Sequence, residues 1–207
     1  MSTIKCLTLL VLAIACCAQS VSPSFDDEHA RGIQQNPPGV RLTIETTPQN
    51  ATYHFSDAIR FTMKFTSDKA NLYTADLGGG SAAGASYDFV IQGPAMAAPI
   101  HSRFWHPFAY VCCSEERRYL SQKPLNGTGY RVSLGYFLQL APLQPSRPLE
   151  LRPGDYAVFV QTRTVMRGWP KSTREAFHSV SDLVVTSANI LHLTILPNVD
   201  GTGSAKP

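Results

Sequence analysis

Four side chains with metal-ligand chemistry, His101, His106, Cys112 and Cys113, fall within thirteen residues and resemble a ligand cluster. A blue-copper site would need a histidine and a methionine shortly after the cysteine, whereas Ser114-Glu-Glu-Arg-Arg follows here. We expect no bound metal and no cofactor. The adjacent cysteines allow two readings. Neighbouring Cα atoms lie about 3.8 Å apart across a trans peptide, short of the roughly 4.4–6.8 Å that a disulfide spans. Cys112 and Cys113 are therefore two inert loop residues, a redox-sensitive vicinal pair, strained and easily reduced, or an intermolecular link.

Other routes to catalysis are thin. Glu115 and Glu116 point to opposite faces of a strand and lie about 100° apart on a helix, so they do not converge on one substrate atom. No Gly-x-Ser-x-Gly or His-Glu-x-x-His occurs. Gly78 to Gly84 is glycine-rich, but no lysine follows it and the next residues alternate like a strand, so it is a connection rather than a phosphate loop. We expect no enzyme.

Binding chemistry is better represented. Arg163, Arg167, Lys171 and Arg174 stand against the single acid Glu175, with Met166 and Trp169-Pro170 among them. An exposed aromatic ringed by guanidinium groups suits an acidic protein, a glycan or an anionic surface. The competing reading tucks Trp169 onto the edge of the fold and leaves the charges solvated. His101, Trp105 and His106 join the expected binding surface from a second segment.

The elements that must position these residues read as strands. Val40, Leu42 and Ile44 alternate with polar neighbours, as do Ile59, Phe61, Met63 and Phe65. Weaker strand patterns cover Asn71 to Leu77, Tyr87 to Gln92, Tyr130 to Leu140 with a bend at Gly135, and Leu183 to Thr186. Around Tyr156 to Gln161 both faces are mostly apolar, the mark of a central strand covered on both sides, and Ile190 to Leu196 closes the set. Residues 95–129 show no alternation until their end and form a long insertion. Within it Ser114 is placed to cap a short helix that Pro124 would stop.

Leu151-Arg-Pro-Gly-Asp-Tyr156, entering a strand, resembles the corner before strand F of immunoglobulin-like and fibronectin type III-like sandwiches. That resemblance implies a Tyr156 hydroxyl bonded back to the main chain. Ser187-Ala-Asn189-Ile-Leu-His-Leu-Thr-Ile-Leu-Pro197 is similar to the closing strand of uncharacterised exported bacterial proteins with one such domain. Ser86-Tyr-Asp-Phe-Val-Ile is similar to a strand of bacterial proteinase inhibitors of the same general fold. In strand count the resemblance covers Val40 to Pro197, and in residues only the last third.

The expected fold is thus all-β, an immunoglobulin-like antiparallel sandwich of seven to eight strands over residues 40–197, with 95–129 inserted, 21–39 as a flexible linker and 198–207 as a disordered tail. In such a sandwich the insertion shares an end with the 164–182 loop, so His101 to Cys113 and Met166 to Trp169 should form one composite surface.

Met1 to Ser20 carries one lysine, the apolar run Leu7 to Ala15 and small residues after it, the pattern of a secretory signal with cleavage after Ser20. Ala13-Ile-Ala-Cys16 resembles a bacterial lipoprotein box, but with Ala13 where that family usually has leucine, which favours plain secretion. No stretch reaches the roughly 20 apolar residues of a transmembrane helix. Cys6, Cys16 and Cys17 lie in the signal region, so disulfides are not what would hold the fold. Against 15 acids stand 18 basic residues, one of them Lys5 of the signal, too even a balance for nucleic acid. Asn50-Ala-Thr52 and Asn126-Gly-Thr128 are glycosylation sequons that matter in a glycosylating host.

These readings converge on an exported protein, periplasmic or extracellular, that binds a protein or glycan partner. The alternatives are a proteinase inhibitor acting through a surface loop and a metal- or redox-active protein using His101, His106, Cys112 and Cys113.

Overall fold

The computed structural model of the chain describes residues 23–50, 52–77, 87–94, 96–104, 117–127, 130–139, 151–169 and 183–197. The protein is mostly β-structure, in several largely antiparallel sheets.

The alternating segments become strands in the expected places. β1 (Val40–Thr47), β2 (Thr52–Tyr53) and β3 (Ala58–Ser67) are followed by β4 (Tyr73–Asp76), β5 (Tyr87–Gln92) and β6 (Ile100–Phe104). β7 (Arg117–Tyr119), β8 (Leu125–Asn126) and β9 (Tyr130–Ser133) come next. β10 (Gly154–Thr162), β11 (Val165–Arg167), β12 (Val185–Thr186) and β13 (Leu191–Ile195) complete the order.

One sheet has β3 between β1 on one side and β8 and β9 on the other. A second runs β2-β13-β10-β5-β6, with β12 also on β10, and a third runs β11-β4-β7. The first two share one core. Leu42, Ile44, Ile59, Phe61, Met63 and Phe65 from one side meet Tyr87, Phe89, Ile91, Tyr156, Val158, Val160, Leu193 and Ile195 from the other. Period-2 alternation put each set on one face, and burying the two faces against each other is the main source of stability.

The insertion expected over 95–129 is not strandless. Its described parts supply β6, β7 and β8, one to each sheet, with registers set by Val90↔His101, Thr74↔Tyr119 and Phe65↔Leu125. The helix expected after Ser114 is not found at Arg117 to Tyr119, where main-chain pairing to β4 holds the chain extended.

Gly135 is likewise not a bend within a strand. β9 stops at Ser133 and a short helix α2 (Leu134–Gln139) begins, because Leu134, Phe137 and Leu138 recur at the helical spacing and are all fully buried. Gly135 lets this turn press on the backbone, its N–H donating to the Phe55 carbonyl at 2.8 Å.

The segment read as a flexible linker over 21–39 is corrected most strongly. Residues Phe25–Gln34 form helix α1, with Ser24 as N-cap accepting from the Asp27 N–H, acids at Asp26, Asp27 and Glu28 in its positive first turn, and Arg31 in its last. α1 lies on the outer face of the six-stranded sheet. Phe25 packs on Phe159 with ring centroids 5.0 Å apart, and His29 stacks on the same ring at 4.9 Å. The His29 Nε2 donates to the Ser187 carbonyl at 2.8 Å. Asn36 exchanges two hydrogen bonds with the Thr186 main chain, at 2.7 and 2.8 Å. Gly32 faces the sheet so closely that a Cβ there would sit 2.4 Å from the Thr186 hydroxyl oxygen.

Residues 187–189 stitch the two large sheets together. Ser187 bonds Val160 through its backbone N–H and its Oγ, and Ala188 donates to the Leu42 carbonyl. The Asn189 amide satisfies both backbone groups of Ile44, at 2.8 and 2.9 Å.

The Tyr156 hydroxyl donates to the Arg152 carbonyl at 2.8 Å, the contact implied by its sequence context. Burial raises its pKa above the ordinary tyrosine value of 10.0, opposed by that hydrogen bond. Tyr156→Phe keeps the ring in the core and removes only this bond. It should cost about 0.5–1.5 kcal/mol in urea unfolding, and an unchanged midpoint would mean the corner contributes nothing.

Candidate functional face

The small sheet of β11, β4 and β7 is organised by its central strand, whose four residues Tyr73 to Asp76 are all buried. Strand alternation sorts its neighbours. Tyr73, Ala75 and Val165 belong to the core, whereas Met166, Thr74 and Tyr119 form one cross-strand row on the other face. Asp76 and Arg117, directly opposite each other and both buried, lie on that second face.

Just past β11 the chain turns at Gly168, which holds the left-handed conformation at φ 75° that favours glycine. Both of its backbone groups are pinned. The Gly168 N–H donates to the Leu72 carbonyl at 2.9 Å, and its own carbonyl accepts from the Thr74 hydroxyl at 2.7 Å. The turn lays Trp169 on Tyr119, with ring centroids 5.3 Å apart and planes tilted by 42°. Trp169 is 51% and Tyr119 42% exposed. Leu196 is the one other large apolar side chain exposed among the described residues. Arg118 and Arg167, opposite Ala75 and Tyr73 in register and so on the other side of the sheet from Tyr119, are exposed, as is Arg163.

Of the residues expected to bind, Met166 and Trp169 lie at this face, Met166 half-buried as part of the sheet, whereas Arg167 pairs with Tyr73 on the opposite side and Arg163 lies just past β10. Trp105, His106, Cys112, Cys113, Lys171 and Arg174 lie outside the described residues. Tyr119 was missed. Its signal was the run Arg117-Arg118-Tyr119, whose aromatic and cationic composition matches the tryptophan loop but which read as part of a helix.

His101 belongs to a different cluster. From β6 it lies 3.2 Å by Nδ1 from the Asp88 Oδ2 and 3.3 Å by Nε2 from the Glu28 Oε1. With both ring nitrogens facing carboxylates it ties α1 to the sheet edge. No group of three or more His, Cys, Asp and Glu side chains able to hold a metal occurs among the described residues.

The register nonetheless relates the two segments. Phe104 pairs with Tyr87, and Tyr87 with Thr162, so the chain leaves β6 and β10 from the same end. The stretch that would complete the composite surface is outside the described residues.

The His101 pKa lies above the ordinary 6.5, chiefly through the hydrogen bond to Asp88, with the Asp88 and Glu28 charges adding and burial opposing. A raised folded-state pKa means the stabilisation is fully present below the unfolded value and is lost as pH rises through the folded one. Docking of α1 should therefore loosen from about pH 6.5 upward. Amide exchange of residues 25–34 measured from pH 5.5 to 8.5, corrected for intrinsic rates, should show falling protection that His101→Gln flattens. An identical profile in the variant would remove His101 as the cause.

No family model and no curated protein matches the chain. A solved β-glucosidase from Listeria innocua in complex with glucose is similar over 75% of this chain and 16% of its own, at 10% identity and a TM-score of 0.35. The β-glucosidase EmGH1 from Erythrobacter marinus is similar over 76% and 15%, at 9% identity and a TM-score of 0.35. The chain thus spans less than a fifth of the length of these enzymes, and likenesses this loose carry no argument.

Proposed function

We propose that this chain is an exported immunoglobulin-like β-sandwich that acts by binding, not by catalysis, and that the Tyr119/Trp169 face is its working surface. The tyrosine corner at Tyr156 and the two large sheets closing on one core support the fold reading. The apolar run from Leu7 to Ala15 supports export. No helix among the described residues is long and apolar enough to cross a membrane.

The binding reading rests on one observation. Two large aromatic side chains from separate segments are stacked together and left about half exposed. Burying them would be favourable, so a fold that instead pins Gly168 at both backbone groups to hold Trp169 outward keeps them for something else. Tyrosine, tryptophan and arginine are the residues that most often dominate interface energies.

The immobilised mature protein should retain material from extracellular or envelope fractions that the Trp169→Ala, Tyr119→Ala double variant retains at least tenfold less. Equal retention by a double variant of unchanged stability would rule this face out as the working surface. Export is checked separately: the secreted product should begin at Val21.

A further inference from the structure

Resting on the reading of this face as the working surface, we propose that its ligand is an uncharged polysaccharide, a chain of neutral pyranose rings laid across Tyr119 and Trp169. Two half-exposed rings offer on the order of 200 Å² of apolar contact, whereas a stable protein interface takes about 800 Å² from each partner. That area matches the C–H face of one or two sugar rings and falls well short of a folded protein.

The spacing of the pair decides how a ligand can approach. With centroids 5.3 Å apart and planes tilted by 42°, Tyr119 and Trp169 touch each other. No slot is left between them for a proline ring or an alkylammonium group, so a ligand must lie over the pair as over a bent platform. Tyr119 is held in strand register with Thr74, and the Gly168 turn before Trp169 is fixed by two hydrogen bonds. Little is therefore left to be ordered on binding, which matters most for a ligand whose own contacts are few.

Charge and hydrogen bonding favour a neutral sugar. On the side of the small sheet that carries Met166, Thr74 and Tyr119, the charged residues of the three strands are Asp76 and Arg117, both buried and opposite each other. The exposed Arg118 and Arg167 are on the other side. The three strands thus present no exposed charge on this face to attract an ion of either sign. The rings themselves end in a phenol hydroxyl and an indole N–H, neither of which has a hydrogen-bond partner among the described residues. Apolar ring faces edged by such groups suit a pyranose, whose C–H faces are edged by hydroxyls.

Frontal affinity chromatography on immobilised mixed-linkage glucan, glucomannan and xylan tests this, with polygalacturonate and poly-L-proline columns as comparisons. At least one neutral polysaccharide should retard the native protein more than either comparison does, and added salt should leave that retardation unchanged because no ion pair forms. Affinity should fall at least about tenfold in Trp169→Ala and in Tyr119→Ala, and stay unchanged in Arg118→Gln and Arg167→Gln, with thermal stability unchanged in all four. The proposal falls if no neutral column retards the protein, if polygalacturonate or poly-L-proline retards it as strongly, or if Trp169→Ala binds as well as the native protein. If no neutral polysaccharide binds while the double variant still loses its partner in the retention experiment, the carbohydrate assignment alone is overturned. If neither experiment distinguishes the ring variants, the face itself is wrong.

Discussion

Phe61→Ala is expected to cost about 3–5 kcal/mol, the largest loss from any single truncation considered. Phe61 is fully buried on β3 and meets Phe137 of α2 at 4.6 Å and Phe89 of β5 at 5.2 Å, while those two rings meet edge-on at 5.1 Å. The three rings come from both large sheets and from the short helix. Removing one therefore opens a cavity where no single element can move in to fill it. Denaturant unfolding should show a midpoint shift at constant slope, and a Tm drop of roughly 6–20 °C for a chain of this size. A cost under about 1.5 kcal/mol would mean that the site collapses easily and that the rings are not the junction described.

The second large effect concerns sign as well as size. In an exposed helix Gly→Ala stabilises by about 1 kcal/mol through backbone entropy. At Gly32 the added methyl would stand 2.4 Å from the Thr186 hydroxyl oxygen and 3.0 Å from the Gln161 amide nitrogen. Thr186 is itself buried and main-chain bonded to Asn36, so it cannot swing aside freely. Overpacking of this kind costs about 1–3 kcal/mol, so Gly32→Ala should destabilise instead of stabilising. Gly32→Leu should push α1 off the sheet. Amide exchange over residues 25–34 would then rise towards that of an unprotected chain, while the strands of the two large sheets keep their protection. A stabilised Gly32→Ala would show that the helix does not press on β12.

Helix α1 also shows why part of the fold escaped a reading by hydrophobic pattern. Its inward stripe is Phe25 and Gly32, buried, with His29 and Ile33 half-buried, at helical spacing but with two members that carry no apolar signal. Its end signals were present in Ser24, the acids of the first turn and Arg31, yet without an apolar period the prolines around them read as a linker. The sheets announced themselves because alternation needs only two residue classes. β1 and β3 keep it for eight and ten residues. The apolar outer face of β10 was a true clue to a covering layer, since Phe159 is the ring that α1 covers.

At the candidate face the sequence pointed to Trp169 through composition, but its partner Tyr119 lies fifty positions earlier and only strand register brings them together. β7 is three residues long, too short for any period to show. Met166, expected in the binding surface, shares a cross-strand row with Tyr119 and is half-buried. His101 looked like a ligand because histidines and cysteines cluster in sequence, whereas its neighbours in space come from α1 and β5.

The docking of α1 bears on how the molecule is made. Asn36 bonds Thr186 across a separation of 150 positions, and His29 bonds Ser187 across 158. A chain synthesised N-terminus first delivers α1 early and its landing site late, so the helix waits for most of the chain without a berth. Its modest apolar stripe suits that wait, because a greasier helix would offer an adhesive surface to every unfolded neighbour in the same compartment. Whatever holds the chain until Thr186 has been made decides whether this early segment becomes the last one home.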